Sequence, residues 1–167
     1  EGLRRDSRSD YSSPSPATDG KVVVFFYGNG DLVTFDLEGQ KLWSRNIQKE
    51  EGDFAFQWTF SSSPLLYEGK LYLQVLQRDT PVHGKGFKDR ANESYLLAMS
   101  PTTGKTLWKH VRPSKAKAES RESFATPMPF TFRGQKQLLI IGGDDLTAHD
   151  PSTGNELWRW GTWNPTR

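Results

Sequence analysis

The chain has 167 residues, room for one domain with a sizeable core, and its 22 Lys and Arg against 20 Asp and Glu leave a formal net charge of +2. That balance selects no nucleic acid or other polyanion as a partner. Cysteine is absent, which excludes disulfides, Cys-ligated zinc, iron–sulfur clusters and thiol catalysis within this stretch.

No apolar run approaches the ~20 residues that span a bilayer as a helix. No signal peptide is visible, and a chain starting at Glu1 rather than Met leaves room for a leader ahead of it. Hydrophobic residues make up 34% and aromatics 13%, a mix that suits many short strands joined by polar turns better than a helical bundle.

In chain order, the first apolar unit is SSPSPATDGKVVVFFY, whose Asp19–Gly20 pair between β-rich runs signals a hairpin. A third strand over Leu32–Phe35 and a glycine turn follow, and TFDLEGQKLW ends the unit at Trp43. The second unit repeats this order: SSSPLLYEGKLYLQVL with a Glu68–Gly69 turn, a strand over Tyr95–Met99, then AMSPTTGKTLW ending at Trp108. The third reads ATPMPFTFRGQKQLLIIGG with an Arg133–Gly134 turn, a strand over Leu146–His149, then AHDPSTGNELW ending at Trp158. KAKAESRE, bracketed by Pro113 and Pro127, is the one helix-like stretch and is expected to form at most a single turn.

Three copies of four short antiparallel strands, each closing on a tryptophan, predict an all-β chain: a β-propeller fragment of about three four-stranded blades. The blades are expected at about 12–46, 59–111 and 124–160. Propeller blades stack face to face, so the indole of Trp43, Trp108 and Trp158 is expected to fill the gap between blades, burying roughly 150–250 Å² each. Ala98 and Ala148, on the third strand, leave room for the ring. Gly104 and Gly154 supply the positive φ of the turn before the last strand. Ser100 and Asp150 can accept from the turn's own amides, while Pro101 and Pro151 pre-set its φ.

AMSPTTGKTLW, AHDPSTGNELW and TFDLEGQKLW resemble the tryptophan-docking repeat of the pyrroloquinoline quinone (PQQ)-like propeller superfamily, which runs Ala-x-Asp-x-x-Thr-Gly-x-x-x-Trp. The resemblance covers about Ser12 to Trp158 and is strongest to the exported, BamB-like bacterial branch. It departs at Ser100 and at Thr34, where the pattern has Asp and Ala. Members of the superfamily carry seven or eight blades. The resemblance therefore implies a portion of a longer propeller, or self-association to complete the ring, and a periplasmic or secreted location.

In such propellers the segments before the first strand of each blade gather on one face. Here these are residues 9–13, 57–62 and 119–125, and Gln57, Trp58, Arg121 and Glu122 are the candidate residues lining a central funnel. The insertion Gln77–Glu93 explains the 65-residue spacing of the first two tryptophans against 50 for the next pair. Its His83, Lys85, Lys88, Asp89 and Arg90 suit recognition of an anion or a partner, while the plainer expectation is a solvated decoration. Asp144 and Asp145 in a tight turn can contribute to a cation site only with further oxygen ligands. His83, His110 and His149 follow no metal-ligand spacing, and His149 is expected to point outward. Asn92-Glu93-Ser94 matches a glycosylation acceptor.

Two functions follow from the resemblance. One is a non-enzymatic exported scaffold with a protein or carbohydrate partner, no catalytic residues and no cofactor. The alternative is part of a quinoprotein dehydrogenase that uses PQQ and Ca²⁺.

Overall fold

A computed structural model describes residues 11–161. Twelve strands form three separate four-stranded antiparallel sheets in simple chain order. Blade 1 holds β1 (Ala17–Thr18), β2 (Val22–Phe26), β3 (Asp31–Asp36) and β4 (Lys41–Asn46). Blade 2 holds β5 (Leu65–Tyr67), β6 (Lys70–Val75), β7 (Tyr95–Met99) and β8 (Thr106–Val111). Blade 3 holds β9 (Met128–Phe132), β10 (Gln135–Gly142), β11 (Asp145–His149) and β12 (Glu156–Gly161).

The hairpin turns sit where the X-Gly pairs placed them. Glu68 and Gly69, like Arg133 and Gly134, both take positive φ, the two-residue geometry whose twist matches the flanking strands. In every blade the register slips by one at the same place on the third strand: Thr34/Phe35, Ala98/Met99 and Ala148/His149. This bulge accompanies the glycine turn and sets Thr34, Ala98 and Ala148 opposite Trp43, Trp108 and Trp158.

The core lies in the two seams between blades. Strand period decides which residue enters which seam. Leu71, Leu73 and Val75 of β6 and Leu97 and Met99 of β7 face blade 1, where Val22, Val24, Phe26 and Leu32 meet them. Tyr72, Leu76, Leu96 and Ala98 point the other way, onto Leu138 and Ile140 of blade 3. Blade 2 is therefore buried on both faces, so β6 and β7 read as continuous apolar runs rather than alternating ones.

The connection from blade 1 to blade 2 adds a phenylalanine plug. Phe60 lies 4.9 Å from Phe54, 5.2 Å from Phe26 and 5.4 Å from Phe56 between ring centroids. The same connection opens with a short helix, α1 (Ile47–Glu51), started by Asn46, whose side chain accepts from the Lys49 amide. The sequence pattern does not announce this helix. The KAKAESRE stretch forms a single 3₁₀ turn, η1 (Ala118–Arg121).

Each inner tryptophan reaches across its seam. Trp43 Nε1 donates to the Pro101 carbonyl at 2.8 Å and its ring lies over Gly104. Trp108 Nε1 donates to the Pro151 carbonyl at 3.3 Å and its ring lies over Gly154; Tyr72 Oη donates to the same carbonyl at 2.9 Å. Gly104 and Gly154 thus serve two purposes. They take the positive φ of their turns (71° and 79°), and they lack the Cβ that would stand 2.7 Å and 2.6 Å from the neighbour's indole. Trp158 has no such neighbour among the described residues. Its Nε1 donates to Gln137 Oε1 in its own blade at 2.9 Å, and it is 38% exposed.

A second contact ties the inner strands together. The Ser15 amide donates to Ser63 Oγ at 2.9 Å, and the Ser63 amide donates to Thr126 Oγ1 at 3.2 Å. These three residues each precede a proline at the mouth of a blade, so they form a hydroxyl ladder that steps from blade to blade.

The glycine requirement can be separated from backbone preference. Gly134 and Gly154 share nearly the same φ, 80° and 79°, but a Cβ at Gly134 meets open space. Gly134→Ala should cost about 1 kcal/mol, the left-handed penalty alone. Gly154→Ala should cost about 2–4 kcal/mol because the Trp108 ring must also be displaced. Urea unfolding of the two variants reads the difference, and equal losses would show that the indole does not need the glycine.

Candidate functional site

At the mouths of blades 2 and 3 the structure brings some of the sequence candidates together. The Gln57 amide donates to Glu122 Oε1 at 2.9 Å, and Arg78 Nε donates to the same oxygen at 2.5 Å. The Glu122 side chain is only 1% exposed, and its Oε2 has no hydrogen-bond partner among the described residues. Burial pushes its carboxyl up, against the two hydrogen bonds that favour the anion. Arg78, which sequence reasoning missed, is the cation that keeps this carboxylate in the fold.

The other two candidates stand beside that pair. Arg121 donates through Nη1 to the carbonyls of Ser114 and Ala116 and faces the Asp79 carboxylate at 3.6 Å. Trp58 is exposed and its Nε1 donates to Glu119 Oε1 at 3.3 Å. Phe124, also exposed, lies 5.5 Å from the Phe56 ring. The result is a rim of neutralised ion pairs carrying two exposed aromatic rings. Its positive charges already have carboxylate or carbonyl partners.

The 77–93 insertion is a built loop. Asn92 holds its base: its amide and Nδ2 both donate to the Asp79 carbonyl, and its Oδ1 accepts from the Phe87 amide at 2.6 Å. Phe87 closes over Gly52, and the Arg90 guanidinium stacks 3.8 Å from its ring centroid. Asn92 is buried, as is Ser94, whose hydroxyl bonds with Gln77. The apparent glycan acceptor is therefore sealed inside the fold. Between the loop, α1 and the blade 2 sheet lies a cavity of about 470 Å³ whose lining includes Glu51, Glu93, Tyr95 and Lys109.

The Gly142–Asp145 turn binds within the protein. Asp145 Oδ2 accepts from Arg159 Nη1 at 2.5 Å, and the Asp145 carbonyl accepts from Arg112 Nη2 at 2.9 Å. Among the described residues no group of three or more His, Asp or Glu is placed to hold a metal.

The histidines differ from expectation. His149 is buried rather than outward, and His110, far from it in sequence, packs against it at 5.0 Å between ring centroids. The physical reason is that both His149 nitrogens have partners inside the seam. Arg112 Nε donates to Thr147 Oγ1 at 2.8 Å, Thr147 Oγ1 lies 2.9 Å from His149 Nε2, and His149 Nδ1 lies 2.9 Å from the Gly154 carbonyl. A carbonyl only accepts, so Nδ1 carries the proton and Nε2 accepts from the threonine. One relay thus runs from buried Arg112 of blade 2 to the turn under Trp108.

The family profile of outer membrane protein assembly factor BamB matches residues 54–166. The chain belongs to that family.

Solved structures share its fold. A quinohemoprotein alcohol dehydrogenase, ADHIIG, from Pseudomonas putida HK5 aligns with a TM-score of 0.61 at 16% identity, over 90% of this chain and 26% of that one. BamB from Moraxella catarrhalis aligns with a TM-score of 0.52 at 18% identity, over 90% of this chain and 38% of that one. A quinohemoprotein alcohol dehydrogenase from Comamonas testosteroni aligns with a TM-score of 0.59 at 19% identity, over 91% of this chain and 22% of that one. The chain spans less than half the length of each of these structures. No curated protein matches it. Membership of the BamB family and these neighbours establish the propeller blades; the neighbours include both an assembly factor and dehydrogenases.

The relay makes the blade 2–3 seam acid-sensitive. Burial chiefly, then the charges of His110 and Arg112, hold His149 down from the usual 6.5 to about 4, against the opposing pull of the Gly154 carbonyl and Glu156. The unfolded chain takes up this proton near pH 6.5 and the folded chain only near pH 4. Stability should therefore be full above pH 6.5 and fall as the pH drops toward 4. The loss should be at most about 3 kcal/mol. Urea unfolding across this window should show the slope, and His149→Gln should flatten it. An unchanged slope in that variant would remove His149 as its source.

Proposed function

We propose that the chain is a non-catalytic scaffold, part of an exported propeller that binds a protein partner through the rim carrying Gln57, Trp58, Arg121 and Glu122. Family membership supports an assembly role, since the matching profile is that of an outer membrane protein assembly factor. The observation that carries the reading is the composition of the rim. Exposed Trp58 and Phe124 stand among the ion pairs of Arg78 with Glu122 and Arg121 with Asp79. Aromatic anchors bordered by satisfied polar groups are what protein interfaces use at their centres. A carbohydrate is the other partner class compatible with an exposed indole.

Family membership supports export of the chain, to the periplasm or outside the cell. No helix among the described residues is long and apolar enough to cross a membrane.

The dehydrogenase alternative requires a site for an anionic quinone with Ca²⁺. The rim residues do not fit that cofactor. The Arg78 and Arg121 guanidiniums are already engaged by Glu122, Asp79 and backbone carbonyls.

Incubation of the full chain with PQQ and Ca²⁺, followed by gel filtration, should leave no quinone absorbance with the protein and no dye-linked alcohol oxidation. Retained quinone or dye reduction would overturn the scaffold reading. Trp58→Ala and Arg121→Ala should each weaken capture of an envelope partner by at least about tenfold, with the far-UV circular dichroism spectrum retained. Undiminished capture in both would move the binding surface elsewhere.

A further inference from the structure

The cavity between α1, the 77–93 loop and blade 2 carries two charges of opposite sign that the rest of the chain leaves open. Its volume of about 470 Å³ is that of a small-molecule site, roughly 300–1,000 Å³. Glu50, Glu51 and Glu93 line it together with Arg90 and Lys109. Two of the carboxylates are engaged within the fold. Arg45 holds Glu50 through Nε and Nη2, and Lys109 Nζ donates to Glu51 Oε2 at 2.5 Å. Arg90 and Glu93 remain. Among the described residues no ion pair or side-chain hydrogen bond engages either head group.

Both of these residues stand on a rigid frame. The Arg90 guanidinium stacks on Phe87. Phe87 is fixed in turn by its amide on Asn92 Oδ1 and by its ring on Gly52, where a Cβ would stand 2.4 Å from it. Glu93 sits between buried Asn92 and Ser94, and its carbonyl accepts from Gln77 Nε2 at 2.9 Å. A cation with five N–H donors and a carboxylate are thus held three residues apart without closing on each other. Groups placed in advance bind a matching ligand without the cost of ordering them.

Tyr95 of β7 lines the same cavity. It is 2% exposed, and its hydroxyl has no hydrogen-bond partner among the described residues. Burial first, then the charges of Glu51 and Glu50, push its phenol well above the ordinary value. The group therefore keeps its proton and can both donate and accept. A buried hydroxyl without a partner is costly, and a polar ligand in the cavity would relieve it. Phe87 and Ala91 make the remaining wall apolar. Every lining residue belongs to α1, blade 2 or its loop, so the site does not depend on what adjoins blade 1 or blade 3.

We propose that this cavity binds a small zwitterion, a free amino acid or dipeptide, with its ammonium on Glu93 and its carboxylate on Arg90. One open charge of each sign selects a ligand that is neutral overall and carries both. A simple amine would leave Arg90 open, and a simple acid would leave Glu93 open. The inference is independent of the rim's partner.

Isothermal titration calorimetry of the full chain with leucine and with dileucine tests it. N-acetyl-leucine, which lacks the ammonium, and leucinamide, which lacks the carboxylate, are the controls. At least one of the two zwitterions should bind, and the comparison between them sets the ligand length. Each capped analogue should bind at least about tenfold more weakly than leucine, the loss expected for one charged hydrogen-bonded contact. Glu93→Gln and Arg90→Gln should each weaken the bound zwitterion by a similar factor, with the far-UV circular dichroism spectrum retained. Absence of binding by both zwitterions at ~10 mM would overturn the proposal. So would binding that either cap, or either folded variant, leaves as tight.

Discussion

An indole ring is stable in a protein interior only when its N–H finds an acceptor, and in this chain the acceptor belongs to the next sheet. Trp43 and Trp108 each carry a large apolar face and one donor, and the neighbouring blade answers both with a turn: a glycine for the face and a proline carbonyl for the N–H. A turn that closes one hairpin is at the same time the floor of another blade's side chain. Blade geometry and blade stacking therefore cannot vary independently. Pro101, Gly104 and Trp43 form one unit although 58 residues separate the hydrogen-bonded pair.

Around that unit the polar groups of the seam fall into place. Arg112 is among the largest fully buried side chains, and desolvation pulls its guanidinium down from its ordinary value to about 10. It remains in the interior because Thr147 and the Asp145 carbonyl accept from it. Removing one partner from such a relay would leave a buried cation uncompensated, which costs more than the relay contributes net. The same logic holds at the mouths of the blades, where Arg78 and the Gln57 amide converge on Glu122.

Much of the blade architecture was legible because turn chemistry and strand period are local. The X-Gly hairpins, the three third strands and the tryptophan-ended units all came from residues adjacent in sequence. The misses share a different cause. His149 read as outward because a polar residue on a strand usually meets water, yet its partners are Thr147 beside it and a turn carbonyl five residues on. The helix α1 was hidden because five residues carry no period, and its start depends on one Asn46 cap. The hydroxyl ladder was invisible because each partner is the equivalent residue of another blade, about 48 and 63 residues away. At the rim, sequence named Gln57 and Glu122 but not Arg78, since nothing local shows which cation a buried carboxylate recruits.

The clamp that Asn92 places on Asp79 has a bearing on how this blade can diversify. With residues 79 and 92 pinned together, the stretch between them is a closed bight whose length the sheet does not sense. Doubling such a loop adds only about 0.6 kcal/mol of closure entropy. The blade thus offers a graft port: foreign sequence can be spliced at the exposed tip near Pro81 and His83 while the strands keep their register.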